Sequence, residues 1–201
     1  MHKIVLSNDQ QDLLPLIKNF DDFYLAGGTA LALQIGHRKS IDFDLFSYKE
    51  INQNKIISQL NRSKISKTIV DNEDQLTFIY DGVKLTFLHY PFEVNEFVTL
   101  ESGIRTVKPI SIATMKAYAL GRRAKWKDYV DLYFITRMES LEKIINQAEK
   151  LFGKLFNEKL FREQLTYYED IDYSEKVNYL IPHPPSDNEI KSYLTNTAIS
   201  I

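Results

Sequence analysis

The sequence predicts an α+β protein: a small mixed β-sheet core with helices, followed by a C-terminal helical bundle. Three observations carry that prediction. Short β-branched and aromatic runs alternate with helix-patterned segments through the first half of the chain. From Ser111 onward the apolar residues recur at helical spacing and continue to do so. Between the two, Asp81-Gly82 separates two alternating runs, which is a strong hairpin signal. The change in pattern divides the 201 residues into a core at 1–108 and a helical region at 109–201. A chain of this length can bury one real core together with a helical appendage.

The elements follow in order. Residues 8–19 form an amphipathic opening helix. "DFYLAGGTALALQIGH" reads as a strand (Phe23–Ala26), a tight turn at Gly27-Gly28, and a helix with Ala30, Leu31 and Leu33 on its apolar side. "KSIDFDLFS" is a second strand. In "KEINQNKIISQLNRS", Ile51, Ile56, Ile57 and Leu60 have the spacing of an amphipathic helix. "KISKTIV" and the two arms of "QLTFIYDGVKLTFLHYPF" supply three further strands, and "IRTVKPI" a shorter one. Ser111 is the expected N-cap after Pro109, opening helices over "IATMKAYALGRRA" and "KDYVDLYFITRM". More helices are expected at 139–152, 156–167 and 187–198, the last preceded by a break at "PHPP", residues 182–185.

Composition narrows the chemistry. A net charge of −2 gives no global attraction to nucleic acid or an acidic membrane. The chain has no cysteine, so a metal would be held by oxygen or by the four histidines. The opening residues lack the apolar core of a signal peptide, and no run approaches the roughly 20 apolar residues of a membrane span. A soluble cytoplasmic protein with no membrane partner is the expectation.

Two features point to a site. Asp42 and Asp44 stand two apart among Ile41, Phe43, Leu45 and Phe46, so in a strand both carboxylates project from one face. Water, basic neighbours or a cation must neutralise such a pair. Upstream, a Gly-Gly turn between strand and helix lets backbone N–H groups approach an anion. An amide cradle beside a dicarboxylate is what a Mg²⁺-nucleotide site requires.

These residues carry a resemblance. "LAGGTALALQIGHRKSIDFDLF" resembles the opening motif of the nucleotidyltransferase family that includes the AbiEii toxins of bacterial abortive-infection and type IV toxin–antitoxin systems. "MKAYALGRRAKWKDYVDLYFI" resembles that family's Lys…Arg…Lys-Asp…Asp-Leu-Tyr helix pair. Their order, their separation by about 70 residues and the mixed-then-helical layout agree over roughly residues 20–140. The resemblance implies a DNA polymerase β-like nucleotidyltransferase fold. It implies that Gly27 and Gly28 form the phosphate-binding turn, with a hydroxyl from Thr29, and that Asp42 and Asp44 bind Mg²⁺ or Mn²⁺. It further implies that Lys116 contacts the phosphates of an NTP, and that Asp128 either orients Lys116 or serves as a base. The acceptor would be RNA such as tRNA, or a protein, and the partner a winged-helix-type antitoxin. Lys116 and Asp128 are then expected to close over the cleft of the aspartate pair.

One departure matters. Polymerase β-like transferases usually place a third carboxylate on a later strand, and "VKLTFLHYPF" offers Thr86 there. A hydroxyl cannot replace an anionic ligand, although it can bind a coordinated water. The open readings are one tightly held metal, a partial substitute in Asp128, or a nucleotide-binding or antitoxin-partner module with little turnover.

Other residues are read against plainer roles. His37 fits capping or phosphate contact, there being no second histidine at ligand spacing. Arg38 either pairs with Asp42 or reaches a phosphate. Lys116, Leu120 and Arg123 share a helix face, which without the resemblance reads equally as a solvated basic stripe. Asp131 sits among apolar residues, and its expected partner is Lys127 four residues earlier. Residues 151–201 carry five basic and eight acidic groups, so their tyrosines suit a helical cap or a partner contact better than a phosphate backbone.

Overall fold

Alternation of side chains settles the first half of the chain into strands. These are β1 (Tyr24–Ala26), β2 (Asp42–Ser47), β3 (Ile65–Asn72), β4 (Gln75–Tyr80), β5 (Val83–His89), β6 (Phe97–Thr99) and β7 (Arg105–Val107). The structure, a computed structural model, describes residues 1–200. It comprises two compact units, one of Met1–Val107 and one beginning at Lys108.

In the first unit the strands form one mixed sheet in the order β3-β4-β5-β2-β1-β7-β6. β2 lies inside it, antiparallel to β1 and parallel to β5. The β4–β5 hairpin turns at Asp81 (φ 47°) and Gly82 (φ 79°), the two positive φ values that a two-residue turn matched to strand twist demands. On the core side of the sheet Phe43, Leu45, Leu85 and Phe87 are buried. Phe20, Phe23 and Phe78 surround the Phe87 ring edge-on or stacked, with centroids 4.8–5.9 Å away.

Helix α1 (Asn8–Lys18) begins with a reciprocal capping box between Ser7 and Gln10. Helix α2 (Gly27–Ile35) is almost wholly apolar, and Ala30, Leu31, Ala32 and Leu33 are fully buried. One expectation is corrected here, and one strand was not anticipated. The helix expected across "KEINQNKIISQLNRS" is only α3 (Gln53–Ser58), because Asn52 caps its start and Asn61 starts a separate 3-10 turn. The short strand β6 carries no alternation readable in the sequence; it exists by pairing with β7.

The second unit is helical: α4 (Pro109–Leu120), α5 (Trp126–Thr136), α6 (Leu141–Phe152), α7 (Glu158–Gln164) and α8 (Asp187–Ile199). Ser111 is not the N-cap of α4. Lys108 is, and Pro109 takes the first helical position, where its missing N–H costs nothing. Ser111 is instead buried in the first turn. Helix α6 buries Leu141, Ile144, Ile145, Ala148 and Phe152, one stripe at helical spacing, and α8 does the same with Ile190, Leu194 and Ala198. Tyr118 of α4 stacks on Phe152 of α6 with ring centroids 4.2 Å apart.

Candidate active site

Strand β2 sorts its side chains by parity. Phe43 and Leu45 go to the core, while Asp42, Asp44 and Phe46 are half-buried on the opposite face. The register fixes their neighbours. Asp44 lies across from Ala26 of β1 and beside Thr86 of β5, and Asp42 lies beside Lys84. The Lys84 ammonium is 2.7 Å from Asp42 Oδ2. Thr86 is nearly buried, and its hydroxyl is 3.4 Å from that of Thr77 on the next strand.

Because Ala26 faces Asp44, the turn that follows Ala26 is carried to the same carboxylate. Gly27 has φ +69°, and a Cβ built there would lie 2.7 Å from Asp44 Oδ2. Only glycine suits both the dihedral and the close approach. At Gly28 the space of a Cβ is taken by the guanidinium of Arg38, which also donates from Nη1 to the Lys39 carbonyl at 3.0 Å. Arg38 and His37 are both buried, so their placement is set by packing. Ala26, the N-cap of α2, makes no side-chain hydrogen bond, so it provides no side-chain acceptor to the first-turn amides. The N-terminus of α2, the Arg38 guanidinium and the Asp42–Asp44 face therefore meet around one glycine turn.

Thr29 is buried, and its hydroxyl contacts Ser40 Oγ at 2.7 Å and the main-chain carbonyl of Asp42. It ties α2 to the start of β2 and so helps set where the Asp42 side chain begins.

In the second unit, Lys116 of α4 points its ammonium between two carboxylates of α5. Asp128 Oδ1 is 2.5 Å away and Asp131 Oδ2 2.8 Å, and all three side chains are buried. Asp128 and Asp131 are three apart and share a helix face, which makes the double contact possible. Arg123, largely exposed, stands 3.6 Å from Asp128 Oδ2. The pairing of Asp131 with Lys127 is thus corrected. Lys127 turns to Glu175 at 2.9 Å, and Lys125 reaches the same carboxylate at 2.5 Å. These two lysine hydrogen bonds, Lys125 first, hold the Glu175 carboxyl down at about 2. Lys116 is likewise no part of a solvated stripe; of the three residues expected on that face only Arg123 is exposed.

One residue at these sites, Lys84, was not singled out by the sequence. Lys84 becomes visible once Thr86 is aligned with Asp44, because the same parallel register then sets Lys84 beside Asp42. Asp131 had been noticed for its apolar surroundings, but its true partner lies on another helix.

Comparison with known proteins agrees with this architecture. A protein of Aquifex aeolicus, aq_aa25, is 33% identical over 82% of this chain and 84% of its own. Among solved structures, the MenT4 nucleotidyltransferase toxin of Mycobacterium tuberculosis superposes over 94% of this chain and 80% of its own, with a TM-score of 0.62 at 15% identity. JHP933 of Helicobacter pylori does so over 96% and 91%, with a TM-score of 0.55 at 20% identity. At these identities the likeness of both structures is one of fold. The model of the nucleotidyl transferase AbiEii toxins of type IV toxin–antitoxin systems matches residues 11–196, nearly the whole sequence, and the chain belongs to that family.

Proposed function

We propose that this protein transfers a nucleoside monophosphate from an NTP to an acceptor, RNA such as tRNA or a protein, as a Mg²⁺- or Mn²⁺-dependent toxin component acting in the cytoplasm. The observation that carries the reading is the meeting of Asp42 and Asp44 with the Gly27-Gly28 turn at the N-terminus of an uncapped helix. Among the described residues no group of three or more acidic, histidine or cysteine side chains gathers around one point. The donors present still fit a single Mg²⁺, which takes one or two carboxylates and completes its shell with water and phosphate oxygens. Asp42 and Asp44 would hold it, and when bound it would neutralise charge on the phosphates.

The remaining work falls to the chain itself. In the transfer, an acceptor hydroxyl gives up its proton to solvent water, its oxygen bonds to the α-phosphorus, the bond from that phosphorus to the β-phosphate bridge breaks, and pyrophosphate leaves. First-turn amides of α2, from Gly27 onward, and the Arg38 guanidinium offer fixed positive dipoles and charge to the phosphates. Lys116 is proposed to contact the nucleotide phosphates. The 2.5 Å bond from its ammonium to Asp128 supports the orienting role for Asp128 over that of a base. As a member of a type IV family, the protein is expected to have an antitoxin partner, proposed here to be of winged-helix type.

The test is incubation with labelled NTPs, Mg²⁺ or Mn²⁺ and a cell extract. Label entering RNA or protein, and lost in Asp42→Ala, supports transfer. A second reading rests on neutral Thr86 beside Asp44: a nucleotide-binding or antitoxin-partner module without turnover. Stoichiometric nucleotide binding with no label transferred would establish that reading instead.

A further inference from the structure

We infer that Lys84 is a built-in cation of the aspartate face, occupying a position that a second metal ion would otherwise take, so that the site admits one divalent ion and no more. The inference rests on the metal-binding reading of Asp42 and Asp44 given above.

The parallel pairing of β2 with β5 puts Asp42 beside Lys84 and Asp44 beside Thr86. Two rows of side chains therefore cross the face, one of a carboxylate and an ammonium, the other of a carboxylate and a hydroxyl. Lys84 Nζ is 2.7 Å from Asp42 Oδ2, and both side chains remain partly open to solvent, 38% and 28% exposed. A residue at this register position cannot turn away into the core, because its neighbours Val83 and Leu85 already occupy that side.

The charge balance follows. Two divalent ions a few ångströms apart repel each other, and they share a site only when several anionic oxygens lie between and around them. The face supplies two carboxylates, one already engaged by an ammonium, and Thr86 adds no negative charge. A second ion would meet Lys84 where it needs a carboxylate. In this arrangement Lys84 is a positioning residue that holds Asp42, keeps a fixed positive charge next to the phosphates and never dissociates from the protein.

The experiment measures Mn²⁺ binding to the full chain by electron paramagnetic resonance, with an NTP analogue whose α,β-bridge cannot be cleaved. Wild type is expected to bind one Mn²⁺ per chain. Lys84→Met should bind Mn²⁺ about fivefold more tightly, the worth of one lost charge contact, or accept a second ion, while Lys84→Arg behaves as wild type. Because the pair is partly exposed, Lys84→Met should keep its thermal unfolding profile, which separates this outcome from misfolding. Two Mn²⁺ ions on wild type, or equal Mn²⁺ affinity and stoichiometry in wild type and Lys84→Met, would overturn the inference and leave the transferase reading standing. Absence of Mn²⁺ binding to wild type in the presence of the analogue would overturn the metal reading itself.

Discussion

Replacing Lys116 by methionine should destabilise this protein severely. The ammonium lies 2.5 Å from Asp128 and 2.8 Å from Asp131, and the three side chains are only 8%, 5% and 0% exposed. Methionine fills much the same space, so the cost is electrostatic: two desolvated carboxylates lose their shared cation. Breaking a buried ion group by removing one partner costs about 3–5 kcal/mol, against a few tenths for an exposed helical lysine. For a chain of this length 1 kcal/mol moves the melting temperature by about 2–4 °C, so a fall of roughly 10 °C is expected. Thermal unfolding followed by circular dichroism measures it. The triple variant Lys116→Met, Asp128→Asn, Asp131→Asn should recover at least half of the loss, because it removes the stranded charges as well. A single variant melting within about 2 °C of wild type would refute the reasoning, for it would mean that the trio is solvated.

Glu175→Gln tests a second ionic contact, this one sensitive to pH. Its folded pKa lies below the unfolded value, so its contribution is complete above the ordinary carboxylate range and is lost as pH falls from about 5 toward 2. With the side chain 41% exposed, solvent screening leaves on the order of 1 kcal/mol; the variant's urea midpoint should fall below wild type at pH 7 and converge with it only as pH approaches 2. Gly27→Ala must place a methyl group 2.7 Å from Asp44 Oδ2 at φ +69°, so nucleotide transfer should drop at least tenfold, while Gly82→Ala, equally strained at φ +79° but with open space around its Cβ and thus no contact with Asp44, leaves transfer unchanged. Thr86→Asp adds an anion beside Asp44; Mn²⁺ affinity measured by calorimetry should rise, and an unchanged affinity would place Thr86 outside the metal's reach.

What the sequence made legible was local. Asp81-Gly82 announced its hairpin because a two-residue turn with two positive φ values has few solutions in residue type. The common face of Asp42 and Asp44 followed from strand parity alone. Glycine at 27 was readable as a close approach, though not what it approaches. The misassigned ion pair involves partners distant in sequence, whereas the start of α4 and the length of α3 were set by local caps. Lys127 lies four residues before Asp131 on one helix, which is a sound local pairing, yet Lys116 on the preceding helix wins Asp131 because burial leaves it no solvent, while Lys127 is drawn to a carboxylate 48 residues on. The contacts of the Thr29 hydroxyl with Ser40 and the Asp42 carbonyl, across the following loop, were likewise not legible in the sequence. Strand β6 has three residues and no pattern of its own.

The outer strands of the sheet have a consequence for how the protein meets other chains. β3 is eight residues long and largely exposed, the kind of border that invites a foreign strand to dock. Its pairing with β4 slips twice, between Ile65 and Lys67 and between Thr68 and Val70, and each slip interrupts the regular row of donors and acceptors that an incoming strand would need. Lys67 and Asp71 add charge to the same border. At the other border β6 offers only three residues, too few to anchor a guest. A chain guarded in this way resists growing its sheet into fibrils or through-sheet dimers.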